Sequence, residues 1–163
     1  MIIEIKIAVQ PVVKAFLSYG HSVDPFEVYR NSQYGIFLFN ALSNLRPVET
    51  TPADPKKLKL YQEEEEKYKE KYSETLKLQM TDRVWIRQGL YISKQKQIDF
   101  NNMVLYNLDE HFCNFMNACS GLGVGKQQDH FFRFRERYRL NENVFTLKCM
   151  EKKWQRHRSR VTA

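Results

Sequence analysis

The sequence predicts an α+β fold that is mostly helical. It has a two-stranded antiparallel ribbon (residues 2–9 and 75–81) packed on helices, and a helical pair at the C-terminal end. Three observations lead there. Two short segments alternate apolar and polar residues with period two. A longer segment, 94–119, carries apolar residues at helical spacing. Gly and Pro are sparse, six and five in 163 residues, which disfavours a turn-rich β-sandwich. The apolar fraction of 42% is enough for a real core and excludes the disordered class. The division expected is a duplicated strand-helix-helix core over 1–120, with a charged insert at about 46–73, followed by a basic helical pair over 121–163.

In chain order, Ile3, Ile5, Ile7 and Val9 alternate with Glu4, Lys6 and Ala8, the pattern of a strand with one wet face. Pro11 opens a short helix that Gly20 ends. Residues 21–32 form a loop with a short extended piece at 26–29. Ile36, Phe39 (or Leu38), Leu42 and Leu45 then repeat at helical spacing and predict a second helix. Three prolines make 46–57 a linker. The Glu- and Lys-rich stretch that follows places Leu58, Tyr61, Tyr68 and Tyr72 on one helix face, interrupted by Glu65. A solvated spacer is expected there, with an acidic docking site as the alternative. Leu76, Leu78 and Met80 alternate with Lys77 and Gln79 in the second strand. Asp82 caps a short helix, and 91–93 is extended. In the long helix, Ile98, Leu105, Phe112 and Cys119 recur every seven residues and Leu108 and Phe115 fill the alternate spacing. Asn101 is the one polar residue in that stripe.

The two halves of the core read alike. Ile5, Ile7, Val9 and Val13 line up with Leu76, Leu78, Met80 and Val84 at a shift of 71 (76 − 5). Leu38-Phe39-Asn40 lines up with Leu105-Tyr106-Asn107 at a shift of 67 (105 − 38). A lone strand leaves backbone groups unpaired, so two related strands would pair with each other. Ile3, Ile5, Ile7, Leu76, Leu78 and Met80 would then face the helices. Glu4, Lys6, Ala8, Thr75, Lys77 and Gln79 would face out.

This arrangement resembles the ribbon-helix-helix family of DNA-binding proteins, over residues 2–45 and 75–119 taken as a fused pseudo-dimer. The resemblance implies that the outward strand positions Glu4, Lys6, Lys77 and Gln79 read the major groove, where Lys and Gln suit base edges. Glu4 and the neutral charge of this region depart from the family's pattern.

The charge sits elsewhere. Residues 130–160 hold ten Lys and Arg against three acids, a net +7, which is also the net charge of the whole chain. The remainder, 16 bases (26 − 10) and 16 acids (19 − 3), is neutral. A local excess interleaved with Phe131, Phe132, Phe134, Tyr138 and Trp154 suits a polyanion. One helix is expected with Phe131, Phe134 and Tyr138 on one face and Arg133, Arg135 and Arg137 away from it. A second follows, with a Leu147, Met150, Trp154 seam. Lys148, Lys152 and Arg156 form its solvent row, extended by Lys153 and Arg160, with Arg158 nearby. Two short helices with a tight turn fit a helix-turn-helix-like or phosphate-gripping unit.

Catalytic and cofactor signatures are absent. The glycine-rich 120–127 stretch lacks the first Gly and the final Ser or Thr of a phosphate-binding loop, and it follows a helix. His111, Cys113, Cys119 and His130 do not match zinc spacing, so no metal or cofactor is expected. Three cysteines without paired spacing, no cationic and apolar leader, and no 18-residue apolar run point to a reducing, cytoplasmic setting without membrane contact. The expectation is a non-enzymatic accessory or regulatory protein, of the compact kind phages and mobile elements carry. Its partner would be nucleic acid, with duplex DNA favoured. The candidate contacts are Lys6, Lys77, Gln79, Arg133, Arg137, Lys148, Lys152, Lys153, Arg156, Arg158 and Arg160. The rival is an assembly component that self-associates or meets a partner protein through 58–72 or 94–119.

Overall fold

The computed structural model describes residues 2–19, 24–46, 48, 50–81, 83–123 and 125–161, apart from the Val84 side chain. Gly20 and Asp82, expected as helix stop and helix cap, lie outside them. The elements run β1 (Ile3–Val9), α1 (Pro11–Leu17), β2 (Phe26–Glu27), α2 (Gln33–Ala41), β3 (Leu42–Ser43), α3 (Pro55–Lys71), β4 (Glu74–Met80), α4 (Val84–Gln88), β5 (Tyr91–Ile92), α5 (Lys94–Leu122), α6 (Gln127–Arg137) and α7 (Leu147–Val161). The fold is α+β and mostly helical, as its patterning predicts.

Strands β1 and β4 pair antiparallel, with Ile3 opposite Met80, Ile5 opposite Leu78 and Ile7 opposite Leu76. All six of these side chains are buried. In this register Lys6 faces Lys77, and 77 − 6 is again 71, the shift that relates the two strands in sequence. The ribbon is therefore two-fold related about that pair.

The ribbon is not alone, which corrects the two-stranded expectation. β2 adds in parallel to the free edge of β4, giving the order β1-β4-β2, and β3 pairs with β5 in a second small sheet. The physical reason is the open edge. The Gln79 carbonyl points away from β1 and accepts from the Val28 N–H at 2.9 Å. The outer edge of β1 is satisfied differently, by side chains of α5. Gln97 Oε1 accepts from the Ala8 N–H (2.8 Å), Asn101 Nδ2 donates to the Ala8 carbonyl (3.0 Å), and Asn101 Oδ1 accepts from the Gln10 N–H (2.8 Å). Asn101 has no solvent exposure. Its place in an apolar stripe is thus explained: it closes a strand edge, and its second Nδ2 hydrogen reaches the Gln97 carbonyl at 2.8 Å.

Helix α5 is the spine. Its fully buried seam is Phe100, Val104, Leu108, Phe112 and Met116. Ile98, Leu105, Phe115 and Cys119, expected in the stripe, are half-buried flanks. Asn101, Leu108 and Phe112 of that stripe are buried, and the seam, spaced by four, advances about 40° per step at 3.6 residues per turn, so the buried line winds around the helix instead of following a period of seven. α2 also differs from expectation. It ends at Ala41, Leu42 enters β3, and Ile36 and Leu45 are exposed while Leu38 is buried. The turn before β5 needs Gly89, at φ 99°, where a Cβ would lie 2.2 Å from the Ser43 carbonyl oxygen.

Replacing Asn101 with Ala leaves the Ala8 carbonyl and Gln10 N–H buried without partners. Urea unfolding should show a loss of about 2–4 kcal/mol. A change within about 0.5 kcal/mol would show that this edge does not depend on Asn101.

Candidate nucleic-acid interface

The C-terminal segment folds as a helical pair seated on the second half of α5. Phe131, Phe134, Tyr138, Phe145, Met150 and Trp154 are buried and continuous with the main core. Phe112 meets Phe134 edge to face at 5.1 Å and Phe145 at 6.0 Å, so α5, α6 and the α6–α7 turn share one aromatic cluster. The chain reverses after α6 through Arg139, a non-glycine residue at φ 51°. With the aromatics inward, the helical period sends most of the intervening bases outward.

On α7 the outcome is a single row. Met150 and Trp154 define the buried side. Lys148, Lys152, Arg156 and Arg160, spaced by four, are all exposed. At 1.5 Å per residue the row runs about 18 Å. Among the described residues none of these four is ion-paired with an acid. Lys153, expected to extend the row, turns aside: its Nζ lies 2.6 Å from both carboxylate oxygens of Asp109 on α5. Lys153 sits between the outward row and the buried seam, where Asp109 can reach it. Arg158 is exposed on the opposite flank of α7 and lines a cleft against α5.

On α6, Arg133 is exposed. Arg137 is held: its Nε donates to the Tyr19 hydroxyl at 3.2 Å, and its guanidinium lies 5.9 Å from the Tyr19 and Tyr138 ring centres. Tyr19 raises the Arg137 pKa, chiefly through that hydrogen bond. Burial raises the Tyr138 phenol, whose hydroxyl lies 3.0 Å from His111 Nδ1. Arg139 completes a shallow recess of about 370 Å³ with Ser18, Tyr19, Arg137 and Tyr138. Tyr19 is not evident from sequence as part of this group, because it lies more than a hundred residues away, in the turn after α1. Arg135 instead pairs with Glu142 at 3.5 Å and covers the Phe132 ring.

The outward sheet face carries Lys6, Lys77 and Gln79 as predicted, but its charges are mixed. Both backbone groups of Ala8 turn to α5, so Ala8–Thr75 is a non-hydrogen-bonded pair. By alternation Lys6–Lys77 and Glu4–Gln79 are too, which brings their side chains close. Two lysines so opposed repel. Asp24 offsets this with an ion pair to Lys77 at 2.9 Å, which raises the lysine pKa and lowers that of the aspartate. Glu4 and Glu27 are exposed nearby. This face and the α7 row are separate surfaces.

The Glu63–Glu66 run does not neutralise the tail. Glu65 pairs with Lys94, and no described ion pair joins this run to residues 130–160. Asp109, Glu110 and His111 form no relay, since Asp109 binds Lys153 and His111 meets Tyr138. Cys113, Cys119 and Cys149 are free thiols, and burial raises the pKa of Cys113. Among the described residues no cluster of three or more His, Cys, Asp or Glu suits a metal ion. No described helix is long and apolar enough to cross a membrane. No protein-family model matches the chain, and no curated protein or solved structure matches it.

Adjacent lysines should therefore behave differently. Lys153→Ala should lower stability by about 1 kcal/mol by freeing Asp109, and change duplex-DNA affinity less than about twofold. Lys152→Ala should weaken binding by severalfold without loss of stability. Fluorescence anisotropy and urea titration of the two variants check this, and the reverse pattern would assign Lys153 to the interface.

Proposed function

We propose that this is a non-enzymatic nucleic-acid-binding protein that grips a phosphate backbone with the outward row of α7. One observation carries the reading: Lys148, Lys152, Arg156 and Arg160 form one exposed row without acidic partners among the described residues, in a segment, 130–160, whose +7 equals the net charge of the whole chain. Such a row neutralises phosphates and releases counterions, a contribution indifferent to base sequence. Arg137 and Arg139 beside Tyr19 are a second cationic group, with aromatic surface on which an unpaired base could stack. Duplex DNA is the favoured partner. Lys6, Lys77 and Gln79 would add base contacts in the manner of the ribbon-helix-helix resemblance, once Lys77 is released from Asp24.

A second reading, an assembly protein, is favoured by α3. This helix has no buried residue over its 17 positions, and Leu60 on it is exposed. Tyr61 and Tyr68 are half-buried and Tyr72 is buried, so the aromatic face expected to meet a partner is largely used within the chain. Most of α5 is likewise occupied by its own fold.

The salt dependence of DNA binding tests the first reading. Four phosphate contacts give a log–log slope of about −3.6 on B-DNA, from 0.9 per contact. The variant with Lys148, Lys152, Arg156 and Arg160 all changed to Ala should lose most of that slope and most of its affinity. Binding by the variant equal to that of the parent chain would place the interface elsewhere. If the sheet face takes part, Asp24→Asn should raise affinity by freeing Lys77, and an unchanged affinity would exclude that face.

A further inference from the structure

Where the turn after α1 meets the end of α6, Arg137 and Arg139 line the recess of about 370 Å³ with Ser18, Tyr19 and Tyr138. Its volume is in the range of small-ligand sites. Two guanidinium groups face it, and no acid lines it among the described residues. Glu136 and Glu142 border a separate surface that Arg139 also touches, and there Glu142 pairs with Arg135.

The donors in the recess are available. Arg137 is held in place by its Nε bond to the Tyr19 hydroxyl and by the Tyr19 and Tyr138 rings, while its terminal nitrogens have no partner among the described residues. A guanidinium fixed in advance loses little freedom on binding. Arg139 is exposed, and its side chain has no hydrogen-bonding, ionic or ring partner among the described residues. The Tyr19 hydroxyl accepts from Arg137 and keeps its own proton to donate. The Ser18 hydroxyl is already committed to the Lys14 carbonyl at 2.7 Å.

The backbone at Arg139 is an independent observation. The Leu140 N–H donates to the Arg135 carbonyl at 2.9 Å, and the Arg139 N–H to the Glu136 carbonyl at 3.1 Å. These two bonds form a Schellman ending of α6, with Arg139 at the left-handed position, φ 51°, where glycine fits without strain. A branched-off side chain in that conformation costs stability, and such strain gathers where a side chain has a task. The turn itself would be better served by glycine. No described group of the chain uses the Arg139 charge, so the task points to a ligand.

We propose that this recess binds a phosphate dianion, either as the phosphorylated end of a nucleic-acid strand or as the free ion. Arg137 and Arg139 take its oxygens, with the Tyr19 hydroxyl as a further donor. Two guanidinium charges match the roughly two negative charges of a terminal phosphate, whereas an internal phosphodiester carries about one. The strand-end source rests on the nucleic-acid reading of the chain. The site itself does not, since no residue of the α7 row lines it.

Isothermal titration of the full chain with the dinucleotides pTpT and TpT, which differ only in the 5′-phosphate, tests this. pTpT should bind saturably and TpT at least about tenfold more weakly, because the charge-assisted contacts to the dianion are lost. Arg139→Gly should weaken pTpT by about tenfold and at the same time raise the urea midpoint of unfolding, because glycine relieves the left-handed turn. An arginine that only shaped the turn would not separate the two effects. The fourfold α7-row variant should bind pTpT within about twofold of the parent chain, whatever it does on duplex DNA. Inorganic phosphate binding more weakly than pTpT would identify the strand end as the source, and binding as tight would identify the free ion. Equal binding of pTpT and TpT, no binding of either, unchanged pTpT affinity or a lower midpoint in Arg139→Gly, or loss of pTpT binding in the α7-row variant would overturn the proposal.

Discussion

The outer edge of β1 is the constraint from which the remaining architecture follows. β4 satisfies one edge of that strand, and the other must find partners without a further strand beside it. Gln97 and Asn101 supply them, which ties α5 to the sheet at a fixed height and rotation. With its first half fixed there, the seam of α5 continues past the sheet and presents Phe112 and Met116 to the C-terminal helices. The basic helices are therefore an extension of the one core. The outward direction of the α7 row follows from how Met150 and Trp154 seat against that spine.

The two long strands solve the same edge problem in different ways. Under the shift of 71, Gln79 of β4 is the counterpart of Ala8 (8 + 71), and under the shift of 67, Tyr34 is the counterpart of Asn101 (34 + 67). Tyr34 cannot repeat the two-sided amide contact that Asn101 makes. At Gln79 the Val28 N–H, just past β2, takes over. That one difference adds a third strand and brings Asp24 within reach of Lys77, so it also sets the mixed charge of the outward sheet face. Among the described residues the outer row of α7 has no such ion pair.

Much of this was legible in the sequence. Period-two alternation marked both strands and which side chains face inward, and the 71-residue shift anticipated the strand partner. Of the tail aromatics, Phe131, Phe134, Tyr138 and Trp154 fell on apolar faces and are buried, while Phe132 is exposed. What sequence could not supply depends on angles between elements. β2 is two residues long and exists only because an edge is open beside it. Lys153 leaves the basic row because α7 crosses α5 with Asp109 in range. The cleft that Arg158 lines arises where α5, α6 and α7 meet, and its members belong to three separate segments. On α5 the seven-residue stripe marked Asn101, Leu108 and Phe112, which are buried, and missed Phe100, Val104 and Met116, because the buried line winds around the helix as first the sheet and then the C-terminal helices pack on it.

The central claim is that the positive field meets its partner along one face of α7. Backbone amide chemical-shift mapping with a short DNA duplex tests this most directly. The account predicts that the strongest shifts run through Lys148, Lys152, Arg156 and Arg160, and that α3 is silent. Shifts centred on α3, or an absence of shifts on α7 at saturation, would contradict it.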